Sequence, residues 1–255
     1  MPFIDTDAGP VYYRHWAAER PRAAVIFLHG FGEHTGVYHR LGFTLNAAGI
    51  DLWAADQLGH GLSGGARGDF GSVQASSSIA AALTDLAERA TPGIPLFAQG
   101  HSFGAVVTLF RLLENPNRYR AGVISGAPLV PIPGMLEDQD AEFELEPSAL
   151  SADPFYLDSM ENDPLAFVDA DGAPLARALD WAWDRMGDAL PTLTVPTLAV
   201  HGESDPVADI GAVRAYAEQV GPLRLAAFPG AHDILNETVH RQVAATISDF
   251  ITTHL

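Results

Sequence analysis

Apolar residues in this chain gather into short runs separated by longer stretches with helical spacing. The segments 23–28, 50–55, 96–98, 121–125 and 195–201 are predominantly apolar with little alternation, the pattern of strands covered on both faces of a parallel sheet. Segment 11–16 reads as an early edge strand and 223–228 as a late strand. Between them, 38–48, 76–90, 105–113, 210–220 and 238–251 repeat apolar residues at helical intervals, and Thr91-Pro-Gly stops the second of these. Strand, helix, strand is a parallel crossover unit, so an α/β architecture is predicted: an open, mostly parallel sheet with helices on both faces.

The rhythm breaks between 129 and 190, where Pro, Asp, Glu and bulky apolar residues mix and only 175–190 is spaced as a helix. About 60 residues is too long for a structureless loop. A core of 1–128 and 191–255 is therefore expected, with 129–190 inserted as a lid (cap) over the carboxyl ends of the strands, where such sheets bind ligands.

Composition narrows the functions open to this fold. Of 255 residues 47% are hydrophobic, acidic residues outnumber basic ones 32 to 14, the formal charge is −18, and lysine is absent. That field repels nucleic acid and anionic headgroups, so no nucleic-acid partner is expected and membrane contact is at most transient, through the lid. Without cysteine there are no disulfides or thiolate metal sites. The opening Met1-Pro-Phe-Ile-Asp-Thr-Asp lacks a signal pattern, and no run approaches the roughly 20 apolar residues of a spanning helix; a cytoplasmic protein is expected.

The chemistry centres on Gly100-His-Ser-Phe-Gly104, between the strand at 96–98 and the helix at 105–113. A serine on so sharp a turn is strained and its hydroxyl stands clear of the sheet; a side chain at Gly100 or Gly104 would collide where strand and helix nearly touch. An alcohol needs a base within reach, and the base needs an orienting group. His232 follows the strand at 223–228 and Asp205 follows the one at 195–201, so both project at the edge that carries Ser102. Chain order is Ser, Asp, His, as this sheet architecture requires. Glu203 and Asp209 stand near enough to rival Asp205 as the acid, whereas Asp233 should point away. Histidines of the loops neighbour glycines without ligand spacing, so neither metal nor cofactor is expected.

These motifs, together with His29-Gly-Phe-Gly-Glu-His34 and Tyr38, Asp56-Gln-Leu-Gly-His-Gly-Leu-Ser63, His201-Gly-Glu-Ser-Asp205 and His232-Asp-Ile-Leu-Asn-Glu237, occur in one order over nearly the whole chain. The chain resembles the monoacylglycerol lipase and serine-aminopeptidase-like (lysophospholipase-like) branch of the α/β-hydrolases. Ser151-Ala-Asp-Pro154 and Asn162-Asp-Pro-Leu165 look like that family's lid landmarks. The resemblance implies Ser102 as nucleophile, His232 as base and then acid, Asp205 as orienting group, and the backbone N–H groups of Phe31 and Phe103 as the oxyanion hole. It implies that His34 and His60 are scaffold beneath the loops. Two positions depart from the pattern: Ala105 stands where a glycine is usual, and Gln99 is polar at the end of an apolar strand and must find a partner if buried.

Phe155, Tyr156, Phe167, Trp181, Trp183 and Met186 supply apolar surface either to line an acyl-chain tunnel or to form the lid's own core. The resemblance favours a carboxylesterase or monoacylglycerol lipase acting on small esters with an acyl chain. An aminopeptidase or amidase, with Glu137, Asp138, Asp140, Glu142 and Glu144 receiving an ammonium group, is the second expectation; lactone hydrolysis stays open, and a non-catalytic receptor is the minority reading.

Overall fold

A computed structural model of the chain describes residues 2–7, 9–136, 142–144 and 146–255, with only the backbone of 142–144. The acidic positions Glu137, Asp138 and Asp140 lie outside the described residues. The strands are β1 (Phe3–Thr6), β2 (Gly9–Trp16), β3 (Ala23–Leu28), β4 (Ile50–Ala55), β5 (Leu96–His101), β6 (Ala121–Ser125), β7 (Glu142–Glu144), β8 (Asp169–Asp171), β9 (Thr197–Gly202) and β10 (Leu223–Phe228). The helices are α1 (His39–Ala47), α2 (Val73–Ala90), α3 (Phe103–Glu114), α4 (Pro147–Leu150), α5 (Pro154–Asn162), α6 (Ala173–Ala189), α7 (Ile210–Gln219) and α8 (His240–Thr253).

Eight strands form one sheet in the order β1-β2-β4-β3-β5-β6-β9-β10, while β7 and β8 pair as a separate antiparallel ribbon. From β4 to β10 every pairing is parallel. Every residue of β3, β4, β5, β6 and β9 is buried, which is why these strands are legible as apolar runs. One face of the sheet carries Phe27, Phe97, Val123 and Val200 against Leu41 and Leu45 of α1 and Val243 and Ile247 of α8. The other carries Ile26, Ala98, Ile124 and Ala199 against α2, α3 and α7. The chain leaves β3 toward β4 on one side and returns to β5 on the other, so the loops after β3 and β5 flank the point where strand order reverses.

The expected edge strand at 11–16 is not the edge, because β1 pairs with β2 outside it. Helix α2 begins earlier than its apolar spacing because Ser72 caps it, accepting from Ala75 N. Within 129–190, α5 has the same logic: Asp153 accepts from Phe155 N and Tyr156 N, and Pro154 sits in the first turn. Among the described residues no helix is long and apolar enough to cross a membrane.

Candidate active site

β5 delivers its last residue, His101, to a turn in which Ser102 has φ 53° and ψ −119°, the one non-glycine with positive φ among the described residues. That conformation survives because the neighbours are pressed together. A Cβ at Gly100 would lie 2.1 Å from Gly104 O, and one at Gly104 would lie 2.2 Å from Leu28 O. Helix α3 starts at Phe103, so its first N–H groups face the turn. Ser102 N donates to Ser125 O at 2.9 Å, fixing the turn to the end of β6.

Asp205 follows β9 and is both a turn residue and a partner for histidine. Its Oδ1 accepts from Val207 N at 2.8 Å and Ala208 N at 2.9 Å, and its Oδ2 lies 3.1 Å from His201 Nε2. His232, on the loop after β10, places Nδ1 2.9 Å from Asp205 Oδ2 and Nε2 2.9 Å from Ser102 Oγ. Burial alone would raise the carboxyl pKa of Asp205. The His232 charge and hydrogen bonds from His201, His232 and Ala208 outweigh it and hold the group well below the usual carboxylate range. Of the rival acids, Asp209 caps α7 by accepting from Gly211 N and Glu203 is exposed. Asp233 turns away from Ser102 into a buried cluster around Glu33.

Phe31 lies in the loop after β3 and is held in an aromatic group with Phe70, His60 and Phe167. His29 ties this loop to the one after β4: its Nε2 accepts from Gln57 N at 2.9 Å, and its Nδ1 lies 2.7 Å from Gly30 O. His60 stacks on Phe70 with ring centroids 4.1 Å apart, and His34 Nε2 lies 3.0 Å from Asp163.

At Ser102 and His232 lies a cavity of about 20 Å³ lined also by Phe31, Ile132, Met135, Leu150, Tyr156, Leu175, Leu179 and Val207, together with Glu33 and His101. That is room for about one water. Of the six aromatic and apolar residues expected to line it, Tyr156 does so. Phe155 is 58% exposed under the Arg40 guanidinium, and Phe167 packs on Phe31. Trp181 packs on Phe110. Trp183 and Met186 are buried in the cluster that α6 shares with α3, and Trp183 Nε1 donates to Pro128 O. Bulk was a poor guide to direction: Leu175 and Leu179, one turn apart on α6, face the serine instead.

Glu33, His101 and Asp233 were not expected as a cluster, yet their ligating atoms lie within 4.8 Å of one another. Glu33 is already occupied: Oε2 accepts from Gly30 N at 3.0 Å and Tyr38 Oη at 2.5 Å, and Oε1 from Tyr156 Oη at 2.8 Å. Hydrogen bonds, and not ligand positions, fill this group.

A model of the family described as "Serine aminopeptidase, S33" matches residues 19–239. The chain belongs to that family. The monoacylglycerol lipase of Mycolicibacterium smegmatis is 28% identical, over 96% of this chain and 94% of that one. The human monoglyceride lipase is 27% identical, over 81% of this chain and 73% of its own length. In structure, the monoacylglycerol lipase of Paleococcus ferrophilus superposes with a TM-score of 0.84 at 23% identity, covering 96% of this chain and 99% of that one. This S33 chain therefore has the α/β-hydrolase fold and is a serine hydrolase. Within the family frame, the segment 129–190 is tied to the loops around Ser102 at several points. Arg40 bridges Asp153 at 3.0 Å and Asn236 O at 3.0 Å, Phe167 N donates to Gly32 O at 2.8 Å, and Asp233 N donates to Leu150 O at 2.7 Å.

Proposed function

We propose that the chain hydrolyses carboxylic esters of small lipids, monoacylglycerols foremost, through an acyl-enzyme on Ser102. The observation that carries the reading is the 2.9 Å contact of Ser102 Oγ with His232 Nε2 beneath a wall of Ile132, Met135, Leu175, Leu179 and Val207. His232 takes the hydroxyl proton as Oγ attacks the carbonyl carbon, and Asp205 holds the proton on Nδ1. The N–H groups of Phe31 and Phe103 receive the oxyanion, each worth about 2.7–4 kcal/mol in the transition state. His232 then protonates the departing alcohol, and water releases the acid by the same steps in reverse. The segment 129–190 acts as a lid: its wall side chains rotate outward as an acyl chain enters a cavity that otherwise holds about one water. The acidic excess of the chain suits a neutral ester better than an anionic one.

A p-nitrophenyl ester series from acetate to palmitate tests the acyl side. Each methylene buried against the wall adds about 0.8 kcal/mol, so kcat/KM rises about fourfold per methylene until the tunnel is full. A profile flat beyond acetate sinks the acyl reading, and activity on amino-acid anilides without activity on esters replaces it with an aminopeptidase. A fluorophosphonate label mapped by mass spectrometry is expected on Ser102 and nowhere else.

A further inference from the structure

We infer that Asp233 is an un-ionised acid whose proton is shared with Glu33, and that this pair is a positioning device locking the Phe31 loop, the His232 turn and helix α5 to one another. Asp233 is fully buried. Its Oδ2 accepts from Asn236 Nδ2 at 2.8 Å, while its buried Oδ1 meets no N–H or O–H donor among the described residues. What it faces is another carboxyl, that of Glu33, itself buried. Two buried carboxylates in contact cannot both be charged, so one proton lies between them.

The partners decide which residue owns it. Glu33 accepts three hydrogen bonds, from Gly30 N, Tyr38 Oη and Tyr156 Oη, whereas Asp233 accepts one from a side-chain amide. The anion is therefore Glu33, and the proton sits on Asp233. Burial and then the Glu33 charge push the Asp233 carboxyl up. Burial also works against ionised Glu33, but the hydrogen bonds from Asp233, Tyr38 and Tyr156 hold it down. The other titratable groups facing the pair stay neutral. Burial lowers His101 to about 4, and it raises Tyr38 and Tyr156.

The donors to Glu33 come from three parts of the site, with Tyr38 on the same segment after β3 as Gly30. Gly30 N precedes Phe31, Tyr156 belongs to α5, and Asp233 follows His232 directly. Loss of the shared proton puts a second negative charge in the cluster and forces those three parts away from one another. Near-attack geometry then degrades, which costs rate more than substrate affinity.

The test uses the full-length wild-type protein, Asp233→Asn and Asp233→Leu. The infrared spectrum at pH 8 is expected to keep the carbonyl band of an un-ionised carboxylic acid, lost in Asp233→Asn, whose amide still donates to Glu33. With p-nitrophenyl butyrate, kcat of the wild type falls at alkaline pH and Asp233→Asn lacks that fall. Asp233→Leu, with no donor, loses roughly 10–100-fold, mostly in kcat, at pH 7, and Asp233→Asn recovers most of it. The inference is overturned by a wild-type spectrum without the acid band at pH 8, or by Asn and Leu variants that are equally impaired and keep the wild-type alkaline fall. The band depends on the folded protein alone, so it stands or falls separately from the lipid-ester reading.

Discussion

Replacing Asp205 by Asn leaves shape intact and tests the proposed role of that carboxylate through one proton. An asparagine can sit in two ways. With its NH2 at the Oδ1 position it confronts the N–H groups of Val207 and Ala208, which approach Oδ1 at 2.8 and 2.9 Å. Two donor-against-donor contacts in a buried turn cost several kcal/mol, so the amide oxygen stays there. The NH2 then replaces Oδ2, 2.9 Å from His232 Nδ1. Nδ1 also lies 3.0 Å from the Oδ1 position, but the NH2 hydrogen aimed at it favours the tautomer in which Nδ1 accepts; the imidazole proton then moves to Nε2, and the nitrogen facing Ser102 has no lone pair with which to take the hydroxyl proton. The wrong tautomer should cost about 10³–10⁴ in kcat, some 4–5.5 kcal/mol of barrier. KM should change little, because Asp205 does not line the cavity. The measurement is steady-state hydrolysis of p-nitrophenyl butyrate at pH 7, beside the rate of fluorophosphonate labelling, which should fall in parallel. Glu203→Gln and Asp209→Asn serve as controls and should stay near wild type. A kcat for Asp205→Asn within tenfold of wild type would refute the reasoning.

Two further substitutions probe the scaffold. Gly104→Ala places a methyl 2.2 Å from Leu28 O and 2.7 Å from His29 O; backbone on both sides leaves no way to yield, so it should cost about 3 kcal/mol, or roughly 6–12 °C in melting temperature by calorimetry, and lower kcat by displacing the loop after β3. Gln99→Leu should act in the opposite direction: both amide atoms of Gln99 are buried without a partner among the described residues, so removing them should raise stability by about 1–3 kcal/mol in urea unfolding while kcat/KM holds. A lower urea midpoint for Gln99→Leu would mean that the amide is compensated.

The sheet could be read from the chain because strands covered on both faces are apolar at most positions, a local property. The order of Ser102, Asp205 and His232 could be read because each follows a strand. What escaped reading was direction and distance. Leu175, Leu179, Trp183 and Met186 form one helical stripe on α6. The stripe announces a buried face, but only its first two members reach the cavity over Ser102, because the rest of the helix descends onto α3. The contact of Tyr156 with Glu33 spans 123 positions and leaves no periodicity, and β1 is too short to stand out before it pairs. One signal was available for α5: Asp153-Pro154 is a helix start, and the residues that follow it carry Tyr156 inward.

Charge around Ser102 shows why the neutral members of the cluster matter as much as the ionised ones. The chain carries a formal charge of −18, and the proposed hydrolysis through Ser102 would build another negative charge on the substrate oxygen. Asp205 spends its charge locally, on two backbone N–H groups and two imidazoles. Glu33 spends its own on a backbone N–H and two phenols. In a dry site an uncompensated charge acts at long range, so a second anion at position 233, one residue from His232, would oppose the oxyanion directly. Keeping Asp233 protonated removes that opposition and still leaves a hydrogen-bond donor where the loops meet. An alanine there would remove the charge but not supply the donor, and a carboxylate would do neither. A buried acid does both, and it makes the site's competence depend on the pH at which that acid finally ionises.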